Sequence, residues 1–193
     1  SYCVPMVSPP ALQLRTLGRL TLLDEAGDEH RDLATRKRKL AMLTLLAVTK
    51  KPWTRDALLD LFWGEQDHAR ARHSLSDALS HLRRVLGPTA LTHRRVEVEL
   101  SDELPLTVDV LQLQEAARRQ DWTTVVSLYH GPFFDGVFVG GSPRLEQWID
   151  GERRRFEAFF TSAARFECDR LLQNDQGASC AELAERWLAV APM

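Results

Sequence analysis

Between Ala69 and Arg95 the chain carries six arginines, Arg70, Arg72, Arg83, Arg84, Arg94 and Arg95, against one acid, Asp77, with His73, His81 and His93 among them. An excess of five positive charges in 27 residues suits the holding of a polyanion rather than the breaking of bonds. Guanidinium groups pair bidentately with phosphate and with the hydrogen-bonding edge of guanine. The excess is local. The whole chain has a net charge of −2, with 16 Lys and Arg against 14 Asp and Glu in residues 1–108 and 9 against 13 in residues 109–193.

Spacing turns this composition into a surface. In HARARHSLSDALSHLRRVLG, Ala71, Leu75, Ala78, Leu79, Leu82 and Leu86 fall on one helical stripe, and Gly87-Pro88 ends the pattern. At about 100° per residue the opposite side presents Arg70, His73, Asp77, Ser80 and Arg84, flanked by Arg72, Ser76, His81 and Arg83. A helix of this kind fits the major groove of double-stranded DNA, about 12 Å wide, where short polar side chains and arginine reach base edges and phosphates. Residues 91–100, LTHRRVEVEL, alternate through Val96, Val98 and Leu100 and predict a hairpin whose tip carries His93, Arg94 and Arg95. That tip would meet an adjacent minor groove or its phosphates. Thr54 and Arg55 open a preceding helix and would meet phosphate through backbone N–H groups.

Catalytic constellations fail on spacing. His68, His73 and His81 contain no i,i+4 pair, H-E-x-x-H is absent, and the glycine cluster GVFVGGSP lacks the lysine of a phosphate loop. Cys3, Cys168 and Cys180 are odd in number and in no C-x-x-C spacing, so they read as ordinary thiols. No enzyme activity, metal or cofactor is expected. The longest apolar stretch, Leu40 to Val48, is interrupted by Thr44 and falls short of the roughly 18–20 residues of a membrane helix. With no secretion-signal pattern either, a cytoplasmic location is expected.

The elements that must position the basic surface follow from the rest of the chain. Residues 1–10, with three prolines, read as a tail. LQLRTLGRLTLL, Leu12 to Leu23, predicts two strands about a turn at Gly18, and a third short strand falls near Arg31 to Leu33. Thr35 is the expected cap of a central helix closed by Lys50-Lys51-Pro52, and Thr54 of a second helix with Leu58, Leu61 and Phe62 on its inner face. The order strand–strand, helix, helix, basic helix, basic hairpin is that of a winged helix-turn-helix over residues 11–108, with a boundary at Pro105 to Asp109. Residues 109–193 read as helical apart from HGPFFDGVFVGGSP. A long helix from Arg144 to about Gln173 turns Leu145, Trp148, Ile149, Phe156, Phe159, Phe160, Ala163 and Phe166 inward. Trp122, Trp148 and Trp187 read as core anchors, and Leu183, Trp187 and Leu188 of a last helix call for a further helix to cover them. The fold class is therefore mainly α with small β elements.

The runs ARHSLSDALSHLRRVLG, LYHGPFFDGVF and LEQWIDGERRRFE occur in that order, and through them the chain resembles transcriptional regulators of the antibiotic-regulatory-protein (SARP) type. The resemblance runs from about Leu12 to the end of the chain. It implies an OmpR/PhoB-like winged helix joined to a tetratricopeptide-like bacterial transcriptional activation domain. It also implies Ala69 to Leu86 as recognition helix, Thr92 to Val96 as wing, RNA polymerase as a partner and a homodimer formed through the helical half. Two rival readings dispense with DNA: a protein-interaction module, and the N-terminal input domain of a larger signalling protein.

Overall fold

The computed structural model describes residues 11–94 and 96–190. Strands β1 (Leu12–Arg15) and β2 (Thr21–Leu23) pair antiparallel around Gly18, whose φ of 87° suits glycine. The third strand expected near Arg31 to Leu33 is instead a run of turns. Leu33 is the one apolar side chain there to bury, and Ala34 N–H donates back to His30 O rather than to a strand. Helix α1 (Lys37–Thr49) follows, buried from Leu40 to Ala47. Thr35 does not cap it: Arg36 holds the cap position without a side-chain hydrogen bond, and the Arg36 N–H to Leu33 O turn leads the chain in. At its far end Lys50 takes a left-handed conformation and donates its N–H to Leu46 O.

A two-residue strand, β3 (Trp53–Thr54), precedes α2 (Arg55–Trp63), and Thr54 accepts from Ala57 N–H as the expected cap. Helix α3 (His68–Leu86) buries Ala71, Leu75, Ala78, Leu79, Leu82 and Leu86, the six apolar positions of its sequence stripe. Strands β4 (Leu91–Arg94) and β5 (Glu97–Leu100) form the hairpin, and β3 joins it in the order β3-β5-β4. Val98 faces inward, but Val96 lies in the turn and is 64% exposed, so the expected alternation begins only at β5.

Strand β6 (Leu106–Val108) runs back beside β1 in parallel, giving the order β2-β1-β6, and passes into α4 (Asp109–Arg118). Three helices complete the described chain: α5 (Trp122–Leu128), α6 (Pro143–Gln173) and α7 (Gly177–Val190). One contiguous apolar cluster runs from Leu12 to Leu183. The long loop before α6 supplies much of its aromatic content: Phe133 stacks on Phe134 at 4.3 Å, and Tyr129 stacks on Phe160 of α6 at the same separation. Phe166 departs from the expected stripe, lying 55% exposed and stacked on Trp122 at 5.2 Å. The three tryptophans read as anchors are half-buried, at the margin of the core. Leu183 is buried by the described elements themselves, whereas Leu188 is exposed.

Candidate nucleic-acid interface

Helix α3 owes its orientation to its apolar stripe, and burying that stripe turns the charged side outward. Arg70, Arg72, His73, Ser76, Asp77, Ser80 and Arg84 are exposed, while His81 and Arg83 are half-buried. Asp67 caps the start through the Arg70 N–H, and Arg83 and Arg84 stand in the last turn, where cations complement the helix dipole. Of the hairpin tip, Arg94 is placed at the end of β4 opposite Glu97, and Arg95 lies outside the described residues.

The start of α2 is fastened to the hairpin. Trp53 pairs with Val98 and Thr54 with Glu97, and Arg55 N–H donates to Val96 O at 3.0 Å. From this position the half-buried Arg55 donates to Ser76 Oγ of α3 at 2.8 Å. Thr54, Arg55, Arg72, Ser76 and Val96 thus border one open cleft. The β3 pairing is the link that brings the α2 N-terminus, one flank of α3 and the hairpin together.

On its other flank α3 meets a residue not singled out from the sequence. Lys39 Nζ lies 2.7 Å from Asp77 Oδ2 and 2.9 Å from His81 Nδ1. The signal was the run Arg36-Lys37-Arg38-Lys39 before the apolar part of α1, a concentration of charge where a helix alone required none. The Lys39 hydrogen bond draws the Asp77 carboxyl below its ordinary range. Burial, followed by Lys39 and Arg84, lowers the pKa of His81. A lysine ammonium can only donate, so Nδ1 accepts and the proton of neutral His81 sits on Nε2, which is buried with no acceptor among the described residues.

These shifts set a sign for pH dependence. Above the ordinary histidine pKa of 6.5 His81 is neutral in both folded and unfolded chains, and the Lys39 contact is intact. As pH falls below that value the unfolded chain takes up the proton first, so stability is lost down to the lower folded pKa. The lowered Asp77 pKa adds a second loss, beginning below 3.8. Unfolding midpoints measured between about pH 7.5 and 5 should fall less steeply for His81→Gln than for the parent chain; equal slopes would show that His81 does not set this window.

No protein-family model matches the chain, and no curated protein matches it. Among solved structures, Mycobacterium tuberculosis EmbR in complex with a low-affinity phosphopeptide is similar, with a TM-score of 0.65 and 18% identity over 93% of this chain. The chain spans 50% of that EmbR chain. The two share a fold, which in this chain is mainly helical with small sheets. At 18% identity the likeness is one of fold.

Proposed function

We propose that this chain is the DNA-binding and activating part of a SARP-type transcriptional regulator. Residues 11–108 act as the winged helix-turn-helix, and residues 109–193 as a tetratricopeptide-like activation domain. The observation that carries the reading is the outward side of α3: His73, Ser80 and Arg84 are exposed along one line, and the hairpin and the α2 N-terminus are fastened beside them. In the proposed complex α3 enters the major groove, where His73, Ser80 and Arg84 meet base edges. Arg72, Ser76 and Arg83 lie toward the wing, with Thr54 and Arg55 at phosphate. Arg94 and Arg95 extend the contact from the wing. Asp77 and His81 hold Lys39, so their part is to orient the helix flank, and Arg70 projects from its first turn. Cytoplasmic location, recruitment of RNA polymerase and a homodimer belong to the same proposal, and no reaction is assigned.

Titration of duplexes selected from a random pool at several salt concentrations tests this reading. Log K should fall by about 0.9 per phosphate contact for each log unit of salt. Arg84→Ala should cost about tenfold in affinity for the selected site and narrow its margin over random duplex, while Arg94→Ala should weaken both duplexes alike. Absence of any duplex binding, or binding indifferent to salt, would sink the proposal.

A further inference from the structure

A second basic surface lies where α1, α3 and the long loop before α6 meet. Arg36, Lys37, Arg38 and Lys39 line an open cleft faced by His73 and Asp77 of α3, with Val139 at its rim. Four cations thus meet one carboxylate. Lys37 Nζ donates to Leu20 O at 3.2 Å and Arg38 to Gly140 O at 2.7 Å, neutral acceptors that leave both charges standing. Lys39 is shared with Asp77, and among the described residues the Arg36 guanidinium has neither hydrogen bond nor ion pair. Arg38 Nε is buried and also without an acceptor among them.

The missing cap sharpens this charge. The N–H groups of Lys37, Arg38 and Lys39 have no acceptor within their own helix. Among the described residues no side chain caps them, and the first turn holds no acid. The positive end of the helix dipole therefore adds to the four side chains instead of being neutralised.

Position decides what such a surface would hold. Around α3, Arg72 and Ser76 lie on the flank toward Arg55 and the hairpin, whereas Ser74 and Asp77 lie on the opposite flank, toward this cleft. A helix seated in the major groove has a sugar–phosphate backbone on each side of it. The hairpin and the α2 N-terminus serve one of them. We infer that the Arg36–Lys39 cleft is a second phosphate-binding site, which seats the DNA strand on the side of α3 remote from the wing; this rests on the DNA-binding reading above. In the bound state a phosphate competes with Asp77 for Lys39 and finds Arg36 free to meet it.

The test uses the full chain, with a selected duplex and a random duplex titrated at several salt concentrations, for Arg36→Ala, Arg36→Glu and Arg36→Lys. Arg36→Ala should weaken both duplexes by the same factor, about five-fold near 0.15 M salt, and lower the salt slope by about 0.9, as expected for one phosphate contact. Arg36→Glu should weaken them further and Arg36→Lys should restore binding. In ethylation interference the parent chain should be sensitive to phosphates on both sides of the groove, and Arg36→Ala should lose the side away from the wing. Parent-like affinity and slope in both Arg36→Ala and Arg36→Glu would overturn the second site while leaving the DNA reading intact. So would weakening confined to the selected duplex, which would place Arg36 on a base. A parent chain that binds neither duplex would overturn the DNA reading itself.

Discussion

Asp109→Ala should unfold at a stability about 3–5 kcal/mol below that of the parent chain. Asp109 is 4% exposed, and its carboxylate is a meeting point for backbone from two distant segments. Oδ2 accepts from Thr16 N–H at 2.8 Å and Leu17 N–H at 2.9 Å, while Oδ1 accepts from Thr16 Oγ1 at 2.6 Å and from its own neighbour Val110 N–H at 2.8 Å. Alanine removes the acceptor and leaves the donors buried, and each stranded donor costs about 1–3 kcal/mol. The effect should exceed that of losing one ordinary hydrogen bond. The same carboxylate fixes where β1 ends and α4 begins, beside the parallel β1–β6 pairing that ties the C-terminal helices to the N-terminal half. Urea unfolding of Asp109→Ala and Asp109→Asn checks the claim, with Asn, which keeps one acceptor oxygen, expected between alanine and the parent. A loss below about 1 kcal/mol in the alanine variant would show that these bonds do not hold the junction.

This junction was the part of the molecule least visible in the sequence. Local periodicity identified the six buried positions of α3 and the outward set from Arg70 to Arg84, because an amphipathic helix records its own burial at fixed spacing. Thr54 and the turn at Gly18 were legible for the same reason, each being a short-range choice of residue. By contrast β6 is three residues long and pairs in parallel with a strand more than 90 positions away. No turn signal connects such partners, so Asp109 read as a boundary residue rather than as a bond. Lys39 escaped in a similar way. Its partners, Asp77 and His81, are 38 and 42 positions distant, and a run of basic residues at a helix start does not announce which charge it will meet. Thr35 misled because threonine is a good cap by type, while the turn at Leu33 shifted the helix start by one residue. The exposed face of α3 was therefore readable because one helix defines it, while the contacts shared by two elements were hidden.

Phe133→Ala and Phe138→Ala, five residues apart in the same loop, should give opposite outcomes. Phe133 is fully buried, stacked on Phe134 at 4.3 Å, 5.5 Å from Phe156 and edge-on to Trp148 at 5.9 Å. Its backbone bridges to Leu17, and the adjoining loop bonds reach the β1–β2 connection, with Gly18 N–H donating to Pro132 O and Phe134 N–H to Thr16 O, both at 2.9 Å. Arg153 Nε of α6 donates to Phe133 O at 3.1 Å. The ring thus packs among loop and α6 aromatics while its backbone is fastened to the β1–β2 connection, and cutting it back opens a cavity that this network resists closing. A loss of about 3–5 kcal/mol is expected for alanine; leucine, which keeps most of the volume, should cost under about 1.5 kcal/mol. Phe138 is 82% exposed, so its replacement should move stability by no more than about 0.5 kcal/mol. Chemical denaturation of the three variants separates packing from loop composition. Similar losses for Phe133→Ala and Phe138→Ala would mean that the loop as a whole, rather than this one ring, holds the C-terminal helices against the N-terminal half.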